Sequence, residues 1–175
     1  GAGADTLLGS NGIDVLMGGD GNDFIDGQQG NDVAFLGAGN DVFQWDPGDG
    51  NDTIEGGADL DQLLFFGSNA SENINIVANG GRALFLRDVA NVTMDLNDVE
   101  TIEYRALGGA DTITVGDLSG TDVTNVDIDL RGPNGGGDGA ADAVTVVGTN
   151  GGDVITVTGE AGGVAGFGLQ AKVDI

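Results

Sequence analysis

The chain opens on a regular beat of single apolar residues. Leu7, Leu16, Ile25, Ala34, Phe43, Ile54 and Leu63 recur every nine residues, apart from one interval of eleven. Each stands two places after an aspartate, where it predicts the one inward-facing position of a very short strand. Beyond residue 61 the beat lengthens. Apolar runs at 62–66, 73–78, 82–86, 92–96, 101–104, 111–115, 125–130, 143–147 and 153–157 are separated by Gly, Asn and Asp clusters, and these predict further strands. Residues 93–96, 125–130 and 153–158 alternate apolar with polar, so one face should meet a core and the other water. No stretch sustains a helical period, and the glycine-rich segment 132–139 predicts a long loop.

Between the apolar positions the first third repeats itself. Asp5, Asp14, Asp23, Asp32, Asp41, Asp52 and Asp61 hold equivalent places, and a glycine stands two residues before every one except Asp61. Residues 18–26, 27–35 and 36–44 superimpose without a gap, and the insertion Trp45-Asp46 shifts the frame before it resumes at 47–55 and decays in 56–64. Self-similarity at a fixed period marks a coiled, repeating architecture. The glycines permit positive φ and let backbone carbonyls face inward. Asn22, Asn31, Asn40 and Asn51 precede the aspartates, where tolerance of left-handed φ would support a tight turn. A second, looser repeat relates 108–115 to 150–157, 42 residues apart, which predicts later coils of about half that length.

These nonapeptides resemble the calcium-binding repeats of the RTX family, whose consensus G-G-x-G-x-D-x-U-x they follow over residues 1–64. The resemblance implies a parallel β-roll with two nonapeptides per coil, so that Asp5 stacks on Asp23, Asp14 on Asp32, Asp23 on Asp41, Asp32 on Asp52 and Asp41 on Asp61. Strands neighbour one another at about 4.8 Å, and two carboxylates roughly 5 Å apart repel by about 3 kcal/mol at an effective dielectric near 20. A row of such pairs should not fold bare, whereas Ca²⁺ accepts 6 to 8 carboxylate and carbonyl oxygens. By the family geometry a first site takes Gly1, Gly3 and Asp5 with Gly18, Asp20 and Asp23. A second takes Ser10, Gly12 and Asp14 with Gly27, Gln29 and Asp32, and a third Gly19, Gly21 and Asp23 with Leu36, Ala38 and Asp41. Two more, Gln28, Gly30 and Asp32 with Asp49 and Asp52, and Gly37, Gly39 and Asp41 with Gly56, Ala58 and Asp61, must absorb the insertion. Asp138 and Asp142 offer a further calcium turn as the alternative reading of the loop beside them.

Charge sharpens this picture. There are 29 acidic residues against 5 basic, and every Lys and Arg lies beyond residue 81, so the repeats contain no cation of their own. Self-repulsion then links folding to metal. The same balance excludes nucleic acid as a partner. Arg82 and Arg87 are expected to pair with acids at the surface, where such pairs contribute little. The chain has no cysteine, and in an extracellular setting calcium can take the role of disulfides. No apolar run is long enough for a membrane span. The first residue falls inside a repeat, so the chain reads as part of something longer; RTX-like proteins are exported by a route that reads a C-terminal signal, which implies a secreted or cell-surface location. With neither histidine nor cysteine, zinc-protease, Ser-His-Asp and thiol chemistry are excluded within these residues.

The expected fold is all-β, with a parallel β-roll over 1–66 that continues over 67–175 as a wider parallel β-helix or solenoid. Irregular packing is expected over 67–106. The expected function is that of a calcium-dependent structural module, not an enzyme, with solenoid ends open to self-association in a surface layer, filament or adhesin. The alternatives are the non-catalytic C-terminal region of a secreted RTX-like toxin or hydrolase, and a solenoid enzyme acting on polysaccharide.

Overall fold

The computed structural model of the chain describes residues 1–160 and 163–175. Its strands, in chain order, are β1 (Thr6–Leu8), β2 (Val15–Asp20), β3 (Phe24–Asp26), β4 (Val33–Ala38), β5 (Val42–Trp45), β6 (Thr53–Ala58), β7 (Gln62–Phe66), β8 (Asn73–Asn79), β9 (Arg82–Arg87), β10 (Val92–Asn97), β11 (Thr101–Arg105), β12 (Thr112–Val115), β13 (Asn125–Asp129), β14 (Ala143–Val146), β15 (Thr156–Glu160), β16 (Gly163–Phe167) and β17 (Lys172–Asp174). Over the repeats, successive strands alternate between two parallel sheets. One sheet runs β1-β3-β5-β7-β11-β13-β17-β16-β15, the other β14-β12-β8-β9-β10-β6-β4-β2.

The apolar beat becomes two columns. Leu7, Ile25, Phe43, Leu63, Ile102, Val126 and Val173 stack strand on strand in the first sheet. Leu16, Ala34, Ile54 and Leu96 do the same in the second. From Ile25 and Ala34 onward these residues are fully or almost fully buried, and they join one continuous apolar cluster. A small residue such as Ala34 suffices because each coil buries its inward side chain against its neighbours above and below. This arrangement is the parallel β-roll expected from the repeats.

The insertion Trp45-Asp46 has a structural purpose. Strand pairing from β1 to β3 and on to β5 advances by 18 residues per coil, but from β5 to β7 it advances by 20. The added length extends β5 to Trp45, which is fully buried and pairs with Phe65. Their rings stack at 4.0 Å and 3°, and Phe85 and Tyr104 complete the cluster. The indole N–H donates to the Gly50 carbonyl at 3.0 Å.

Beyond the repeats the sheets are not uniformly parallel. β8, β9 and β10 form an antiparallel meander inserted between β12 and β6. The cause is the turn Asn79-Gly80-Gly81-Arg82, in which Asn79 and Arg82 face each other and Gly80 has φ +67°. A two-residue turn can only join antiparallel strands. β15, β16 and β17 are antiparallel as well. The strand expected at 153–157 lies instead at Thr156–Glu160, and β16 and β17 were not expected from the sequence. The 42-residue repeat does not set coil stacking either: β12 pairs with β14, placing Thr112 on Ala143, 31 residues away. Coils here range from 24 residues between β11 and β13 to 47 between β13 and β17, because loops of unequal length are inserted between short strands.

Candidate calcium sites

The turns between strands bring the seven aspartates into two rows. Asp23 Oδ1 accepts the backbone N–H of Asp5, Asp41 that of Asp23, and Asp61 that of Asp41, at 2.7–3.0 Å. In the second row Asp32 accepts from Asp14 and Asp52 from Asp32, both at 2.8 Å. The pairs that span the Trp45-Asp46 insertion make the same contact as the others. Each coil therefore hands its N–H to the carboxylate of the next.

That leaves the second oxygen. Oδ2 of Asp23, Asp32, Asp41, Asp52 and Asp61 is buried without a hydrogen-bond partner. An ionised oxygen removed from water and given neither donor nor counter-charge is strongly disfavoured. Burial is the main cause that raises the Asp52 and Asp61 carboxyls from the ordinary 3.8 to about 7 and Asp49 to about 6, with neighbouring carboxylates adding to it. Asp32 and Asp41 are raised for the same reasons. Backbone N–H donors oppose these shifts but do not overcome them.

Main-chain carbonyls line the same turns. Those of Asp20, Ala38 and Ala58 accept the N–H groups of Gly3, Gly21 and Gly39, and those of Gln29 and Asp49 accept from Gly12 and Gly30. A carbonyl has two lone pairs, so each retains one for a cation. The carbonyls of Gly27 and Leu36 press on Gly9 and Gly18, where a Cβ would lie 2.2 and 2.3 Å from them. The carbonyl of Gly1 accepts the N–H of Asp20 at 2.9 Å. Gly56 packs on the coil above through the Asp98 carbonyl, while Gln28 adopts φ +65° in the turn before Asp32. Ser10 turns inward to its own repeat, its N–H and hydroxyl both donating to Asp14 Oδ2. Among the described residues no three His, Cys, Asp or Glu side chains converge on one point. A bound cation would thus rest on paired carboxylates supplemented by carbonyls, a donor set of hard oxygens that suits Ca²⁺.

Gly37 shows how closely the turns pack. It has φ +119°, and a Cβ there would lie 2.1 Å from the Gly19 carbonyl, whereas Gly48 has the same φ with open space around it. Gly37→Ala is therefore expected to destabilise the calcium-loaded chain by more than about 1 kcal/mol and by more than Gly48→Ala, which carries only the backbone strain. Urea midpoints of the two variants check this; equal midpoints would remove close coil packing as the cause.

Two features of the rows depart from the sequence reading. Asn22, Asn31, Asn40 and Asn51 are not left-handed. Their side-chain oxygens instead accept N–H groups from Asn40, Asn51, Leu60 and Thr93, forming a second ladder one residue outside the aspartates. The conformational demand falls on the glycines, which frees asparagine for cross-coil bonding. The acidic rows also extend past the repeats. Glu100 accepts the Asp61 N–H at 2.8 Å, and Glu72, Asp111 and Asp142 form a further row. The available signal was an acid two residues before an apolar one, as in Glu72-Asn73-Ile74 and Glu100-Thr101-Ile102. Arg87 differs as well: it is buried against Glu72 and its guanidinium lies 5.5 Å above the Trp45 ring, so this is no surface pair.

A stack of 18-residue coils with buried, half-satisfied carboxylates at every turn defines a β-roll of the metal-binding class. The RTX calcium-binding nonapeptide repeat matches in four copies over residues 1–34, 8–43 and 48–64. The first third of the chain is thus a block of RTX repeats. No curated protein sequence matches the chain. Among solved structures, that of the extracellular lipase LipA from Serratia marcescens aligns with 97% of this chain at 16% identity and a TM-score of 0.25, too low to support an argument. The chain spans 37% of the length of that lipase.

Proposed function

We propose that the chain is a calcium-dependent structural module of a secreted or cell-surface bacterial protein, and that calcium filling the roll drives its folding. The observation that carries this reading is the row of buried Oδ2 atoms without partners. The five stacked carboxylate pairs supply negative charge that nothing in the repeats offsets, since the nearest basic residue in sequence is Arg82. Extracellular calcium is abundant enough to fill even weak sites, which reach millimolar dissociation constants. The module is read as non-catalytic because its buried acids are taken up by the turns and because it contains no histidine or cysteine. Association would run through the solenoid ends, where Leu8, Ile13, Val15 and Met17 of the first coils are exposed.

The test is a titration of the metal-free chain with calcium, and with magnesium in parallel, followed by small-angle scattering and circular dichroism. Compaction with gain of β-structure near millimolar calcium, not reproduced by magnesium, is expected. Asp23, which takes part in two stacked pairs, should on replacement by alanine reduce the number of ions bound by more than one. A chain already compact in chelator and indifferent to calcium would overturn the reading.

A further inference from the structure

Outside the matched repeats, one more carboxylate has the features of the roll aspartates. Asp111 is 1% exposed. Its Oδ1 accepts the N–H of Glu72 at 2.9 Å, its own N–H donates to Asp142 Oδ1 at 3.0 Å, and its Oδ2 is buried without a partner. The turn leading into it is built as a repeat turn is built. Leu107 and Gly109, four and two residues before Asp111, have φ of +67° and +108°, while Gly37 and Gly39 hold the same places before Asp41 at +119° and +127°. Left-handed φ in a leucine is a genuine outlier, imposed by its surroundings. Gly109 also stacks on Ala70 as Gly39 stacks on Gly21: a Cβ would meet the carbonyl below at 2.5 Å in one case and 2.4 Å in the other.

The neighbouring coils differ in what they offer this oxygen. On one side, the Glu72 carboxylate is already satisfied by Arg87, by the Tyr104 hydroxyl at 2.9 Å and by the Ser68 hydroxyl at 2.6 Å. On the other side stand Asp138 and Asp142, and Arg131, close to them in sequence, is held by Asp129. Asp138 uses both oxygens, Oδ2 accepting from the Gly109 N–H at 2.8 Å and Oδ1 from the Ala140 N–H at 2.9 Å. It therefore fixes the Gly109 peptide.

We infer that Asp111 anchors an additional site for a hard divalent cation, of the calcium class, between the turn 106–111 and the segment 137–142. Its ligands are the carboxylates of Asp111 and Asp142 and the main-chain carbonyls of Leu107 and Gly109, and Asp138 is a positioning residue. The inference rests on the calcium reading of the roll but concerns residues beyond its repeats. It makes calcium a fastener of the later coils, where strands β12 and β14 pair, as well as of the roll.

The test uses the whole chain, calcium alone as the probe, equilibrium dialysis to count ions, and hydrogen exchange to locate them. Asp111→Asn retains the side-chain oxygen that accepts the Glu72 N–H, and it is expected to bind one ion fewer than the wild type. It should lose calcium-dependent protection at 112–115 and 143–146 and keep it over 1–64. Asp138→Asn, at an exposed position that does not threaten folding, should shift the calcium midpoint of that local protection about tenfold, as outer partners of metal ligands do, without changing protection in the roll. Asp41→Asn serves as the control and should lose ions from the roll. Wild-type counts and protection in both Asp111→Asn and Asp138→Asn, with ions lost only in Asp41→Asn, would overturn this site and leave the roll intact. A wild type that binds no calcium would overturn both readings.

Discussion

In chelator, the folded chain is expected to become more stable as the pH is lowered from 8 to 5, and in saturating calcium less stable over the same interval. Asp52 and Asp61 have carboxyls raised to about 7 and Asp49 to about 6, against an ordinary 3.8. A carboxyl raised in the folded state binds more protons there than in the unfolded chain, so stability falls with rising pH between the two values. The metal-free fold thus has its full stability below about pH 4 and loses it as the pH rises through 6 to 7. For Asp52 alone, raised from 3.8 to about 7, the loss is on the order of 4 kcal/mol, a large part of the stability of a domain. Calcium reverses the sign because its ligands must be ionised, so protons compete with it. Melting curves at a series of pH values, in chelator and in calcium, should cross. A metal-free melting temperature that is flat or falls on acidification would show that the buried carboxylates do not control folding.

The second large effect concerns the one acidic position that the chain neutralises internally. Glu72 and Arg87 are both buried, with side-chain exposures of 0% and 3%. Arg87→Met would leave the Glu72 carboxylate to the hydroxyls of Tyr104 and Ser68 alone, and is expected to cost about 3–5 kcal/mol. Glu72→Gln combined with Arg87→Met should recover most of that loss, because removing both charges of a buried pair is far milder than removing one. Denaturant unfolding in saturating calcium measures the coupling. Strictly additive single and double variants would mean that the two side chains do not depend on each other. The Tyr104 hydroxyl, pushed well above its ordinary range by burial and by Glu72, should remain protonated throughout.

Much of the roll was legible because its partners lie at a fixed distance along the chain. The beat from Leu7 to Leu63 locates the inward column, and the stacking of Asp5 on Asp23 or Asp41 on Asp61 follows once two repeats make a coil. Most later strands were legible too, from alternation and turn residues. Their directions were not: an apolar run such as 82–86 looks the same in a parallel or an antiparallel pair, and only Gly80-Gly81 carries the difference. The extended acidic rows were hidden because Glu72 and Asp111 are 39 residues apart and Asp111 and Asp142 are 31 apart, with no repeat to align them. For Arg87, charge suggested a surface residue, and only the assembled sheets show that its partner is enclosed with it.

The insertion that adds Trp45 also supplies an optical reporter. This is the only tryptophan in the chain, and it sits where the last roll coils meet the aromatic cluster of Phe65, Phe85 and Tyr104. Its emission senses both sides of that junction, since its ring stacks on Phe65 and lies beneath Arg87. If the calcium dependence of tryptophan emission coincides with that of total β-structure, the repeats and the later coils lock together as one cooperative unit. Two separate transitions would instead describe a hinge in folding at Trp45, with the extension consolidating apart from the metal-filled stack.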